Sequence, residues 1–448
     1  MKIFLFSLFV LLLSFNCSGQ YIATVAGNGL FGTTGDSGLS TLANLSSPWN
    51  VDVDASGNFY IATSWRVRKV DIASGIITTV AGNGTAGFVG DGGLAINASI
   101  DNLIGLDVDN SGNIFIADNN NNCIRRVDAV TGIITRVAGT DTAGFNGDGI
   151  LATTARLNHP QGVAVDAQGN IFISDQYNFR IRKVDVTTGL ISTIAGNGMS
   201  GYTGDNGAAT SATFYFPKGL TTDNFGNVYV ADCNNHVIRK INLASGIITT
   251  IAGNGFGAGQ VIGGDFGDGG LATLAELNFP TDVKLDIHGN IFIADAQNGK
   301  IKMVSSTNGL ITTIAGGGSS GLGDGGLATD ANLSYADGVA IDANGNLYIA
   351  DYYHARIRKV DNITGVNEIF ENSFSIFPNP STGLLNFNCE TNIDEIKVTN
   401  TLGQIVYSKT INHKSGTINL QSLPSGLYFC SVKTEDGKTA QQKFIVQH

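Results

Sequence analysis

The chain has 448 residues, a formal net charge of −11 and only 14% charged residues. An acidic chain of this kind will not bind nucleic acid through a general basic field. The low charged fraction, with many Gly, Asn and Thr, fits a β-rich secreted protein.

Residues 1–19 have the make-up of a secretory signal. Lys2 is the positive start, Ile3 to Phe15 the apolar stretch, and Cys17 to Gly19 the small-residue cleavage zone. The apolar stretch is too short for a stable transmembrane helix. Asn16 before Cys17 does not suit a lipoprotein box, so removal is expected, without lipidation. Loss of the single charge of Lys2 then takes the net charge from −11 to −12. No later segment is apolar enough to span a membrane.

Residues 20–361 are built on a repeat. The framework Asp-x-x-Gly-Asn, followed by three apolar residues and Ala-Asp, recurs around Asn58, Asn113, Asn170, Asn227, Asn290 and Asn346, spaced by 55, 57, 57, 63 and 56 residues. A fixed period of this size is one supersecondary unit copied in series. In the third copy, Val163-Ala164-Val165, Ile171-Phe172-Ile173-Ser174, Ile181-Arg182-Lys183-Val184 and Leu190 to Ala195 are β-branched or aromatic runs between Gly, Asn and Asp turns. Four short strands per copy, and no sustained helical spacing, predict an all-β, six-bladed propeller. Ile22 to Gly29 copies Ile77 to Gly84, a fourth strand with its exit loop, whereas Gly365 to Phe370 breaks that pattern in the last copy. The N-terminal strand is therefore expected to complete the sixth blade and to remove an exposed edge.

The repeat ends near Asp361, and residues 362–373 read as a linker. Residues 374–448 then alternate with period two, as in Leu385-Asn386-Phe387, Ile396-Lys397-Val398 and Gly426 to Val432. This predicts a separate small β-sandwich. Cys389 and Cys430 both fall in its strand-like runs and could pair in an oxidising compartment. Cys123 and Cys233 lie in blades two and four and are expected to stay unbonded.

The tail motifs Phe377-Pro378-Asn379-Pro380, Leu402-Gly403-Gln404-Ile405-Val406, Leu423-Pro424-Ser425-Gly426-Leu427-Tyr428 and Lys443-Phe444-Ile445-Val446 resemble the type A sorting domain of the type IX secretion system, with Phe377 where that family usually has tyrosine. The resemblance implies handling by the type IX machinery through residues 374–448 and passage across the outer membrane of a Gram-negative bacterium. It also implies loss of the tail, with the remainder anchored to surface polysaccharide or released. Residues 21–361 are similar to the bacterial form of the NHL repeat, with Pro-x-Gly-Val-Ala-Val-Asp, Gly-Asn-Ile-Phe-Ile-Ala-Asp, Arg-Ile-Arg-Lys-Val-Asp and Gly-Asp-Gly-Gly motifs. That resemblance implies a six-bladed propeller. Most such propellers are binding platforms, and a few related ones are lyases or hydrolases.

Repeated charges point to structure. Asp118, Asp175, Asp232, Asp295 and Asp351 end the second strands, with Thr63 in blade one, and the third strands carry Arg68, Arg125, Arg182, Arg239, Lys302 and Arg358. A catalytic group is needed once, so a pair repeated around a ring is expected to lock adjacent strands. The loop aspartates Asp36, Asp91, Asp148, Asp205, Asp268 and Asp324 are expected to cap the Ala-rich turns that follow them. No Gly-Lys-Ser/Thr follows, which excludes a phosphate loop. Asp52-x-Asp54-x-Ser56-Gly57 and Asp107-x-Asp109-x-Ser111-Gly112 look like the start of a calcium loop but lack the later glutamate. Asx-type turns between the first and second strands account for them better.

Function is expected where the copies diverge, in the loops after the second strands and between blades. There stand Trp65, Tyr177, Phe179, His236, Tyr352, Tyr353 and His354, with Asn235, Phe214, Tyr215 and six extra residues from Gln260 to Asp265. Exposed aromatic groups suit a glycan, peptide or protein ligand. His159, His236 and His354 could reach the same face, and three histidines can hold zinc with one position open. The sequence thus supports a secreted binding propeller without a cofactor. The alternative is a metal-dependent lyase or hydrolase on the loop face.

Overall fold

In the computed structural model, the described residues are 20–319, 321–361, 363, 374–400, 405–435 and 439–447. The expected signal segment and all but Ile363 of the expected linker lie outside them. Two compact units divide between Ile363 and Thr364.

The first unit contains six antiparallel sheets, one per repeat. The third is representative. Its strands are Pro160–Val165, Ile171–Asp175, Arg180–Val184 and Leu190–Ala195, paired in that order. The second strand is buried at every position, which is why it reads as an unbroken apolar run. The third strand mixes buried and half-buried positions, and the fourth is more exposed, as outer positions must be. Each apolar cluster spans two consecutive blades. Phe115, Ala117 and Ile124 of blade two, for example, pack with Val163 and Ile173 of blade three. Phe59 of blade one lies 5.1 Å from Tyr348 of blade six, in a cluster that joins the last blade to the first.

The ring closes as the N-terminal motif implies. Ile22–Ala26 pairs with the third strand of blade six, in register Ile22↔Val360 and Thr24↔Arg358. Blade six thereby gains its fourth strand from the start of the chain.

The Gly-Asn motif has a local cause. Asp166 Oδ1 accepts from the amides of Gln168 (3.0 Å) and Asn170 (2.8 Å), and its Oδ2 accepts from Asn170 Nδ2 (2.8 Å). Asn170 Oδ1 accepts from the Val186 amide, tying in the next hairpin (3.1 Å). Gly169 supplies the left-handed residue of this Asx turn, at φ +90°.

The second unit has strands Phe374–Phe377, Leu384–Asn400, Ile405–Asn419, Gly426–Thr434 and Thr439–Val446. The long Leu384–Asn400 strand changes register near Ile393, pairing with Phe374–Phe377 before the shift and with Gly426–Thr434 after it. All five strands contribute to one core, through Phe374, Leu385, Ile418, Tyr428 and Phe444. Cys389 and Cys430 are buried free thiols, as are Cys123 and Cys233. No helix among the described residues is long and apolar enough to cross a membrane.

Candidate ligand-binding face

Pro160 pairs with Asp175, so the start of a first strand lies beside the end of the second. The inter-blade loops and the loops after the second strands therefore share one face. The buried aspartates organise it. Asp175 Oδ1 accepts from the Asn158 amide (2.7 Å), and Oδ2 accepts from Asn178 Nδ2 (2.8 Å) and Arg182 (3.3 Å). Burial pushes this carboxyl up to about 6, against the hydrogen bonds and Arg182.

The strand-locking pairs form in blades two, three, four and six, and they enlist a third member; in blade five Lys302 pairs with Asp265 and Asp268 and makes no bond to Asp295. Arg182 also reaches Asp148 at 2.8 Å, and the corresponding loop pairs are Arg68–Asp36, Arg125–Asp91, Arg239–Asp205, Lys302–Asp268 and Arg358–Asp324. This corrects the expectation that the loop aspartates cap the Ala-rich turns. Those turns last three residues and make no side-chain cap bond. Their first amide already donates to a hairpin carbonyl, as Ala152 does to Gly189 (2.9 Å). Blade one has no second-strand aspartate; there Thr63 Oγ1 donates to the Arg66 carbonyl at 2.8 Å.

The three histidines are engaged separately. His236 is fully buried; its Nδ1 accepts from the Phe279 amide (3.0 Å), and its Nε2 lies 3.3 Å from the Gln260 carbonyl. Burial lowers its pKa. His354 Nδ1 sits 2.9 Å from Asp351, where Asn178 and Asn235 stand in blades three and four. His159 Nδ1 pairs with Asn119 Oδ1 at 3.1 Å. Among the described residues no group of three or more His, Cys, Asp or Glu side chains is placed to hold a metal ion. In the calcium-like segments, Asp54 and Asp109 are taken up by Asn58 and Asn113. Asp52 and Asp107 flank the Lys284 ammonium at 3.5 and 3.3 Å.

The aromatic candidates fall into two groups, each completed by residues the sequence reading passed over. Tyr177 meets His159 (5.1 Å) and Phe216 (5.0 Å), and Phe179 and Tyr215 also contact Phe216. Tyr352 packs at a tilt against Trp49 (4.3 Å) and meets Tyr353 edge-on (4.8 Å), and Tyr335 touches both tyrosines. Trp65, in the short turn of blade one, stands apart from both groups among the described residues. The missed residues Phe216, Phe279 and Tyr335 hold one repeat position with His159, just before a first strand, and all four have positive φ. A left-handed non-glycine residue is costly, and such strain gathers where the surroundings enforce it. Here the enforcing bond is the aspartate-to-amide link one residue earlier, as at Tyr215–Asp232 and Ser334–Asp351.

At the centre of this face the axis opens into a small recess lined by Trp49, Asn50, Gln161, Lys218, Thr281, Asp282 and Asp337. Glycines let the first strands approach closely: a Cβ on Gly162 would lie 2.4 Å from the Lys218 carbonyl. Below the recess, Asn50 Nδ2 donates to Asp282 Oδ2 across the axis (3.1 Å), and Lys284 spans to Asp52 and Asp107. Burial pushes Asp337 up to about 6, opposed by Lys218.

Comparison with known proteins gives the two halves their kinds. Residues 375–447 match the secretion system C-terminal sorting domain. Residues 214–241 and 333–360 match the NHL repeat, and residues 141–203 the teneurin NHL domain. The chain carries NHL repeats and a type IX sorting tail. That tail indicates a secreted or outer-membrane surface location. Two curated relatives are SUPPRESSOR OF QUENCHING 1 of Arabidopsis thaliana, 30% identical over 51% of this chain, and NHL repeat-containing protein 2 of Homo sapiens, 27% identical over 52%. The chain spans 22% and 36% of their respective lengths. An auxiliary nutrient binding protein from Bacteroides thetaiotaomicron has the same fold, with a TM-score of 0.54 over 76% of each chain at 15% identity.

Proposed function

We propose that the propeller is an extracellular binding module that takes its ligand on the loop face and does no chemistry there. The observation that carries this reading is the rim of four aromatic rings, Trp49, Tyr335, Tyr352 and Tyr353, gathered from blades one and six. Flat aromatic surfaces bring large contact area at low entropic cost. Tyr353 is 60% exposed, more than packing alone requires. The second-strand aspartates of blades two, three, four and six are tied to arginines, which suits recognition better than proton transfer. The nutrient-binding role named for a protein of the same fold points the same way. Tyr177, with Phe179 and His159, forms a second contact patch, and His236, His354 and Trp65 shape the loops of their own blades.

The test is a ligand screen read by thermal shift, because a ligand that binds the native state raises its melting temperature. Tyr353→Ala is expected to weaken binding by about 1–2 kcal/mol and to change stability by about 0.5 kcal/mol or less. A sharp fall in the melt with affinity intact would make the rim mere loop packing.

The tail makes a separate claim. Each unit has its own apolar core. A chain ending at residue 373 is therefore expected to fold its propeller yet stay in the periplasm of a host with the type IX system. The intact chain should appear outside, shortened by its tail. Surface display of the shortened gene product would show that export does not depend on residues 374–448.

A further inference from the structure

The axial recess collects three buried polar atoms with no hydrogen-bond partner in the protein: the Trp49 indole N–H, Asn50 Oδ1 and Asp337 Oδ1. Of the nine such atoms among the described residues, four are the Nε of separate buried arginines, whereas three meet in this one recess, each having given up its hydration without return. Asp337 is only 5% exposed. The set is one donor and two acceptors. An ammonium group cannot accept from the indole, and a carboxylate or phosphate has no proton for the two oxygens. A hydroxyl does both: it accepts from the indole and donates to one of the oxygens.

Charge and shape narrow the ligand further. The lining carries Lys218 and Lys284 with Asp282 and Asp337, charges of both signs and no cluster of one sign. The recess has a cavity volume of about 20 Å³, room for a single hydroxyl-sized group. It is blind below, closed by the Asn50–Asp282 bond and the Lys284 pairs. A peptide backbone cannot thread it, whereas the edge of a sugar can dip into it. The rings of Trp49, Tyr352 and Tyr335 stand at the rim, where a sugar ring would lie.

We propose that the recess is the anchoring subsite for a neutral carbohydrate, one hydroxyl of which donates to Asp337 and accepts from the Trp49 indole. This rests on the binding reading above and adds the ligand's class and its anchor. The test uses the intact chain in calorimetric titration against neutral gluco-, manno-, xylo- and N-acetylglucosamine oligosaccharides, uronic acid oligomers and uncharged peptides. A neutral oligosaccharide is expected to bind. Trp49→Phe keeps a ring beside Tyr352 and removes only the N–H; Asp337→Asn keeps the shape and removes the charge-assisted acceptor. Each is expected to weaken that binding about tenfold or more. Should Trp49→Phe fail to fold, Asp337→Asn carries the comparison. Saccharide binding that neither change touches overturns the anchor and leaves the binding reading standing. So does binding of peptides alone. Failure of every class to bind removes both. A crystal structure of the complex with only a water in the recess, the sugar lying elsewhere, also overturns the proposal.

Discussion

A chain lacking residues 20–27 is expected to melt far below the intact chain and to self-associate. Those residues supply the fourth strand of blade six, with Ile22 and Ala26 fully buried. Backbone bonds go with them, from Gly325 N to Ile22 O (2.8 Å) and from Ala328 N to Gln20 O (2.7 Å), as does Thr24 on Asp324 (2.8 Å). Burying Ile22 contributes about 1.5–3 kcal/mol, and each of several hydrogen bonds about 0.5–1.5 kcal/mol. The sum is on the order of 5 kcal/mol, a large share of the stability of an ordinary domain. Arg356–Val360 would become an unpaired edge, ready to pair with another copy. Calorimetry and light scattering measure both effects. A truncated chain that melts with the intact one and remains monomeric would show that closure of the ring does not depend on this strand.

The second large effect is expected from Arg182→Met. The guanidinium is fully buried between Asp148 and the equally buried Asp175. Removing one partner of a buried pair costs about 3–5 kcal/mol, because the remaining charge loses its compensation. Asp175→Asn in the same chain should recover part of that loss, and the double-mutant cycle should give a coupling well outside additivity. The loss should also depend on pH. Burial already raises the Asp175 carboxyl to about 6, and without Arg182 it rises further. The folded variant then keeps a proton that the unfolded chain releases near pH 4, so its stability falls as pH rises from 5 to 8. Urea midpoints of the variant and the parent at those two pH values make the comparison. A variant equally destabilised at both would place the damage in lost packing, not in the stranded carboxylate.

Much of this architecture is legible in the amino-acid order because its causes are local and repeated. The Asp-x-x-Gly-Asn turn closes within five residues, so Asp166 and Asn170 announce it in every copy. The strand-locking pair is seven residues long, Asp175 to Arg182, and equally plain. The closing strand is legible as a copied segment at one end and a missing one at the other. The loop aspartates carry a longer-range signal: each of five lies 34 residues before its basic partner, as Asp148 does before Arg182.

The candidate site belongs to the other category. Asn50 meets Asp282, and Lys284 meets Asp52, across 232 residues of chain. Nothing local relates them; ring closure brings them together at the axis. Their trace in the sequence is a departure from the repeat: Asn50 and Asp282 stand where the motif Pro-x-Gly has glycine, and Lys284 stands where blades one and two have Asp52 and Asp107 and the remaining copies Ala or Thr. Tyr335, Phe216 and Trp49 likewise became neighbours of the expected aromatics through left-handed turns and packing between blades. The sequence by itself determined the blades, their turns and the order of closure, because each needs only residues a few positions apart or a copied segment. The tertiary structure alone decided which side chains share the axial recess and which of its polar atoms go unpaired, because that depends on first strands from all six blades meeting at a single axis.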